Sequence, residues 1–78
     1  MDKLLIRFWF TTERGGIGVT AYSLEDARNL IDADDYLRIQ KVSEVIENVD
    51  VRTLDQGHVI PNMGPPNLRG IWFPNLIR

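Results

Sequence analysis

The chain has 78 residues, 44% of them hydrophobic, with no cysteine and a formal net charge of −2. This length predicts one domain, residues 1–78, with one modest core, and the lack of thiols excludes disulfides and cysteine chemistry. The slightly acidic balance disfavours nucleic acid as a partner, because nucleic-acid-binding proteins usually carry a basic face.

The first predicted element is a β-hairpin. Residues 4–11 alternate with a period of two, and one face of this strand is wholly apolar. That face consists of Leu4, Ile6, Phe8 and Phe10. Gly15 and Gly16 suit a tight turn, and residues 17–22 alternate again. The glycines are not typical of a phosphate-binding loop, because the segment after them is predicted to be a strand and not a helix.

A helix is predicted to begin at Ser23. Ser23 and Asp26 have the spacing of a capping box, in which the hydroxyl accepts a hydrogen bond from a backbone N–H. The three carboxylates within residues 32–35 are unfavourable at the negative C-terminal end of a helix, so we expect the helix to end there. The apolar stripe of this helix is Ala27, Leu30 and Ile31.

Residues 42–51 fit two patterns. The apolar positions have helical spacing and are Val42, Val45, Ile46 and Val49. The segment is also rich in β-branched residues, which favour strands. A hairpin with one helix needs a further strand to form a stable sheet. We interpret the segment as a strand and keep the helix as the alternative.

A long irregular segment follows at residues 52–69. It is rich in proline, glycine and asparagine, and a loop of this length in a small domain is usually functional or mobile. Residues 70–73 then form a short apolar strand that ends before Pro74, and the proline favours an edge position in the sheet. The apolar anchors of the loop are Val59, Ile60, Met63 and Leu68.

Together these elements predict an α+β fold. We expect a small antiparallel sheet of three to four strands, built from the N-terminal hairpin and two further strands, with one main helix. The long loop rich in proline, glycine and asparagine precedes the last strand.

Segments in both halves of the chain carry a family resemblance. They are residues 8–10, 18–23, 44–51, 54–55, 58–59, 61–64 and 69–74. With these segments the chain resembles a family of small uncharacterised bacterial proteins that consist of a single domain. The resemblance implies a bacterial origin and a free-standing domain. It implies no activity, cofactor or catalytic residue, because none is known for that family.

The outer face of the hairpin is the first candidate binding site. Arg7, Trp9 and Tyr22 are predicted to lie opposite the apolar face, and these residue types are enriched at binding hot spots. Two alternatives follow. Either this face is exposed and binds a partner, or the loop at residues 52–69 folds over it and forms a second small core.

Arg69 is a further candidate for binding, because a guanidinium can hold a carboxylate or phosphate through two hydrogen bonds. The alternative is an ion pair with Asp50 or Asp55 that fixes the long loop. Trp72 is predicted to be a core residue whose indole N–H bonds to a backbone carbonyl.

A possible loop site consists of Asp55, His58 and Asn62, and it contains the one histidine of the chain. Asp55 could orient His58 as a general base, but no cysteine or nearby serine offers a nucleophile. The alternative is structural, with turn caps and a hydrogen bond to a loop carbonyl. We predict no metal site and no cofactor. One histidine without cysteines does not build a typical zinc site, and the acids within residues 32–35 lack the pattern of a calcium loop.

These patterns favour a binding module over an enzyme. Residues 23–55 carry nine acidic and four basic side chains, which suits a basic partner. An immunity-type inhibitor of a basic toxin or nuclease is one concrete form. The partner is another protein, or a second copy of the chain that pairs at a sheet edge. The alternative is a small ligand-binding protein or enzyme that uses residues 55–69, with the pocket completed at a dimer interface.

The expected cellular compartment follows from two patterns that the sequence lacks, a membrane-spanning segment and a signal peptide. No apolar run is long enough to span a membrane, and the first residues lack the pattern of a signal peptide. We therefore expect a cytoplasmic protein that does not contact membranes.

Overall fold

The computed structural model describes residues 4–54, 56–57 and 59–74. Four antiparallel strands form one sheet, and one α-helix packs on it. The elements are β1 (Ile6–Thr12), β2 (Ile17–Ala21), α1 (Leu24–Asp32), β3 (Val42–Glu47) and β4 (Gly70–Phe73). The strand order is β3-β1-β2-β4. The predicted α+β fold is confirmed.

The predicted hairpin is the centre of the sheet. In β1 and β2, Phe8 lies opposite Val19 and Phe10 lies opposite Ile17, so the apolar faces of the two strands coincide. Leu4 was expected on this apolar face, but it precedes β1 and is 81% exposed. The core therefore begins after Leu4, at the first paired residue, Ile6.

One face of the sheet is covered by α1 and the segment after it. α1 packs over β2 and β4, and its two buried residues join the apolar face of the hairpin. We call this the first core, and its buried residues are Phe8, Phe10, Ile17, Val19, Ala21, Ala27, Ile31 and Leu37. Leu37 reaches this core because the Asp34 carboxylate accepts the backbone N–H groups of residues 36 and 37 and shapes a turn there.

The helix begins and ends where the sequence predicts. The Ser23 hydroxyl accepts the backbone N–H of Asp26 at 3.1 Å, and the Asp26 carboxylate accepts the backbone N–H of Tyr22 at 3.0 Å. These two bonds satisfy donors at the helix start that would otherwise lack partners. α1 ends at Asp32, at the beginning of the acidic run.

Residues 42–51 contain a strand, as predicted, but the strand ends at Glu47. The next residue, Asn48, has a φ of 54°, a left-handed conformation that asparagine tolerates better than most residues. This residue redirects the chain, and the backbone N–H of Val49 then donates to the carbonyl of Arg7 at 3.1 Å. Val49 is thereby carried to the other face of the sheet.

A second core lies on that other face, beneath the long loop. It consists of Trp9, Val49, Val59, Trp72 and Phe73, with Val51, Leu54 and Met63 packed against it. The loop contains two short 3₁₀ turns, Val51–Thr53 and Ile60–Asn62. Of the predicted anchors, Val59 is buried and Met63 contacts the second core, while Leu68 is 60% exposed and is not an anchor.

Two close contacts shape the second core. A side chain at Gly16 would overlap the indole of Trp9, and one at Gly18 would overlap the indole of Trp72, so glycine at both positions leaves room for the rings. Trp72 is 1% exposed, as predicted for a core residue. The expected hydrogen bond to a carbonyl is not formed, because the Trp72 indole N–H has no partner among the described residues.

Candidate functional site

The predicted aromatic surface on the outer hairpin face does not form. Trp9 is only 7% exposed, and its indole packs against Trp72 and Phe73 with ring centres 6.0 and 5.5 Å away. The loop also bonds to this face, since the Thr20 hydroxyl donates to the carbonyl of Pro66 at 2.5 Å. Of the two alternatives for this face, the second core beneath the loop is the one that forms, and Trp9 is not an exposed binding residue.

Tyr22 and Arg69 do come together, around Asp26. The Arg69 guanidinium donates to both oxygens of the Asp26 carboxylate, from Nε at 2.9 Å and from Nη2 at 2.6 Å. Its central carbon also lies 5.7 Å from the ring centre of Tyr22, which is 44% exposed. The hydrogen bonds that Arg69 donates to the Asp26 carboxylate raise the pKa of Arg69. Arg69 was predicted to pair with Asp50 or Asp55, but it pairs with Asp26 instead. This ion pair links the segment before β4 to the start of α1.

Arg7 lies opposite Thr20 in the pairing of β1 with β2. Its side chain is exposed, and its charge acts on Asp50, whose carboxylate is bonded to the Arg52 guanidinium at 2.7 and 3.0 Å. The side-chain hydrogen bond from Arg52 is the main cause that lowers the pKa of Asp50 to about 2, and Arg7 contributes weakly. Because Trp9 is buried, the four residues Arg7, Trp9, Tyr22 and Arg69 do not form one exposed surface.

Of the three residues in the predicted loop site, Asp55 and His58 lie outside the described residues. Asn62 is exposed at the end of the second 3₁₀ turn, and its backbone N–H donates to the carbonyl of Val59 at 3.0 Å. The loop site stays a prediction. In the described part of the chain, no three histidine or carboxylate side chains converge as a metal site would require.

The two edges of the sheet differ. At β4, the carbonyl of Trp72 accepts the backbone N–H of Gly64 at 2.6 Å, so the loop occupies part of that edge. At the opposite end of the sheet, β3 pairs with β1 alone among the described strands. Its outer backbone groups face away from β1. Among the described residues, β3 is therefore the open edge.

The side chains along this open edge are acidic and apolar. We define the β3 edge by its exposed residues Ser43, Glu44, Ile46 and Glu47. Ile46 is 40% exposed, and Ile39 shortly before the strand is 67% exposed. Among the described residues, neither glutamate carboxylate makes an ion pair or hydrogen bond. The edge thus combines unpaired backbone groups, exposed apolar surface and two carboxylates without partners.

A cavity of about 300 Å³ lies near the beginning of β3, on the helix-covered face of the sheet. It exists because α1 packs over β2 and β4, at the other side of the sheet. We call this cavity the arginine groove. Its apolar lining is Phe10, Ile31 and Val42, and its polar lining is Arg28, Asp32, Arg38 and Gln40.

Polar groups of the arginine groove are available to bind a ligand. The central carbon of the Arg28 guanidinium lies 5.8 Å from the ring centre of Phe10, and within the described structure this guanidinium has no ion pair or hydrogen bond. Arg38 pairs with Asp35 at 3.5 Å, but the two side chains are 55% and 93% exposed, and such pairs contribute little. The Gln40 amide oxygen accepts the Thr12 hydroxyl at 2.9 Å.

Sequence reasoning did not identify the β3 edge or the arginine groove. The order of the strands depends on pairing between distant residues, and no local pattern gives it. One signal was available. Three of the six residues of β3 are Ser43, Glu44 and Glu47, a composition typical of an edge strand and not of a central one.

Neither a family model, nor a curated protein, nor a solved structure matches the chain. The resemblance to small bacterial proteins therefore stays a prediction. Within the described residues, no helix has the length and apolar character needed to cross a membrane.

Proposed function

We propose that this protein is a binding module and not an enzyme, and that it takes up an extended segment of another protein at the β3 edge. The segment adds a fifth strand to the sheet. The single observation that carries this proposal is the difference between the two edges: Gly64 occupies part of the β4 edge, while β3 pairs only with β1 among the described strands.

The backbone of an open edge supplies affinity for an extended peptide. Unpaired N–H and C=O groups along an edge strand are a template for a further strand, and binding of this kind is a recurrent mode of peptide recognition. In β3, the exposed side chain of Ile46 offers an apolar contact to the incoming strand. Specificity then depends on the side chains that lie opposite.

Charge supports a basic partner. The carboxylates of Glu44 and Glu47 have no partner within the described residues, and opposite charges on neighbouring strands stabilise their pairing. A second copy of the chain is less well suited, because antiparallel pairing of two β3 strands in a centred register places these glutamates opposite or diagonal to one another. An inhibitor that covers a basic strand or segment of its target is the form of this function that we favour, and we expect it to act in the cytoplasm.

The test is a display selection with short random peptides against the folded protein. We expect the enriched peptides to combine β-branched residues with lysine or arginine. Their binding should shift the backbone amide resonances of β3 more than those of β4. The double variant Glu44→Lys, Glu47→Lys should weaken the best peptide by about tenfold or more, because like charges then face one another.

The matched control is Glu25→Lys, which reverses an exposed carboxylate in the first turn of α1, away from the β3 edge. It should leave peptide affinity nearly unchanged. The proposal is wrong if no peptide is enriched, if enriched peptides have no basic preference, or if their binding shifts resonances elsewhere and not in β3. The proposal would also be wrong if the protein formed a dimer in solution through β3.

A further inference from the structure

The arginine groove lies where a bound strand would end. Val42 is the first residue of β3 and also lines the groove. A strand that pairs antiparallel to β3 runs in the opposite direction, so its C-terminal end lies beside Val42. The groove and the β3 edge are thus continuous.

The side chains along this continuous surface change from mixed charge to acidic. Near the beginning of β3 lie the cations of Arg28, Arg38 and Lys41, together with the carboxylates of Asp32, of Asp35 on Arg38, and of Glu13 on the backbone N–H of Lys41. Further along β3 lie Glu44 and Glu47, which have no partner among the described residues. A partner complementary to the Arg28 guanidinium and to these glutamates has a negative group at its C-terminal end and basic side chains before it.

We infer that the arginine groove binds the C-terminal carboxylate of the partner, so that the partner segment is the end of a protein chain. This inference rests on the proposed function. A planar guanidinium matches a carboxylate through two parallel hydrogen bonds, and the amide nitrogen of Gln40 is a further donor. The cavity of about 300 Å³ has room for the last side chain of the partner beside Ile31 and Val42.

The balance of charge in the groove favours a carboxylate over a phosphate group. Asp32 lines the groove and Asp35 pairs with Arg38, so Arg28 is the groove guanidinium that has no ion pair among the described residues. A phosphate monoester carries nearly two negative charges at neutral pH, and the Asp32 carboxylate repels the second. The charge of the arginines also favours a bound strand that is antiparallel to β3, because a parallel strand would place its N-terminal amine beside them.

The test uses one synthetic peptide in two forms. The peptide is acetylated at its N-terminus, contains valine and lysine with lysine on both faces of the strand, and matches β3 in length. One form has a free C-terminal carboxylate and the other a C-terminal amide. We expect calorimetric titration to give an affinity about tenfold or more higher for the free carboxylate, because hydrogen bonds to charged groups are the stronger ones.

The variants assign the effect to the groove. The double variant Arg28→Gln, Arg38→Gln should bind both peptide forms with the same affinity, and circular dichroism verifies that it stays folded. The control Arg7→Gln removes the same kind of charge from an exposed position outside the groove. It should keep the preference for the free carboxylate.

The outcomes separate this inference from the proposed function. If both forms bind equally to the wild type and shift the resonances of β3, the module binds internal segments and the inference is wrong. If the carboxylate is preferred but the preference persists in the double arginine variant, the groove is not the site and the inference is again wrong. If neither form binds, the proposed function fails together with the inference.

Discussion

At the scale of single residues, two indole rings pack closely against glycines. A methyl group on Gly18 would lie within 2.6 Å of three ring carbons of Trp72. Gly18→Ala should therefore lower the free energy of unfolding by about 1–3 kcal/mol, the usual cost of overpacking. Urea denaturation of the two proteins measures it.

A double-mutant cycle tests the cause of this loss. In a Trp72→Phe background the smaller ring leaves more room above residue 18, so Gly18→Ala should cost less there than in the wild type. Coupling between the two substitutions identifies the contact. Equal costs in both backgrounds would assign the loss to the backbone of residue 18 instead.

The sequence predicted single residues well where the signal was local. The bond between Ser23 and Asp26 at the helix start follows from their spacing alone. The partner of Arg69 did not follow, because Asp26 is 43 residues away in the chain and becomes its neighbour only through the fold. We expected the indole N–H of Trp72 to donate to a backbone carbonyl. The ring packs closely on Gly18, and the N–H has no hydrogen-bond partner among the described residues.

At the scale of elements, one residue sets the length of β3. Asn48 ends the strand with a φ of 54° and is exposed. Asn48→Val should lower the free energy of unfolding by about 1–2 kcal/mol, since this conformation is unfavourable for residues other than glycine, asparagine and aspartate. Asn48→Gly should leave stability nearly unchanged. Urea denaturation distinguishes the two.

A neighbouring position supplies the control for that prediction. Glu47→Val introduces the same side chain at an exposed position with extended backbone, where valine is favourable. It should not destabilise the protein. A similar loss for Asn48→Gly and Asn48→Val would indicate that the asparagine side chain itself, and not the backbone angle, ends the strand.

Elements were predictable where periodicity was unambiguous. The hairpin shows a period of two and the helix has a capping pattern, and both were located within one or two residues, apart from the two leucines before β1. Residues 42–51 matched two periods because β3 is an edge strand followed by a chain reversal. Val42 and Val45 pack against the core beneath α1, Ile46 is 40% exposed, and Val49 belongs to the second core. Apolar residues with three different environments cannot give a single period.

At the scale of the whole molecule, each face of one sheet carries a hydrophobic core in a chain of 78 residues. The two tryptophans of the chain lie in the second core and α1 lies against the first. Tryptophan fluorescence and the helical signal in circular dichroism therefore report on opposite faces. We expect the two signals to change at the same urea concentration, because small domains usually unfold in one cooperative transition.

Trp9→Ala tests how far that cooperativity depends on the second core. It should lower the free energy of unfolding by about 3–5 kcal/mol, and the helical signal should move to lower urea together with the fluorescence of Trp72. Tyr22→Ala, at a side chain that is 44% exposed, should have a small effect. A helical transition that stays in place in Trp9→Ala would mean that the two faces fold independently.

The candidate site was the least predictable part of the molecule. Sequence reasoning selected residue types that are common at interfaces, but burial decides which of them are available, and Trp9 is covered by the distant loop at residues 52–69. The β3 edge and the arginine groove depend on strand order and on the position of α1 across the sheet. Both are properties of the assembled fold.

The hydrogen bond from Gly64 to Trp72 has a consequence for stoichiometry. A sheet with two open ends can add copies of itself at both and polymerise into a fibre. Here the loop occupies part of the β4 edge. Two copies that paired with each other through β3 would therefore present partly occupied β4 edges at the two ends of the joined sheet, which disfavours growth into a fibre.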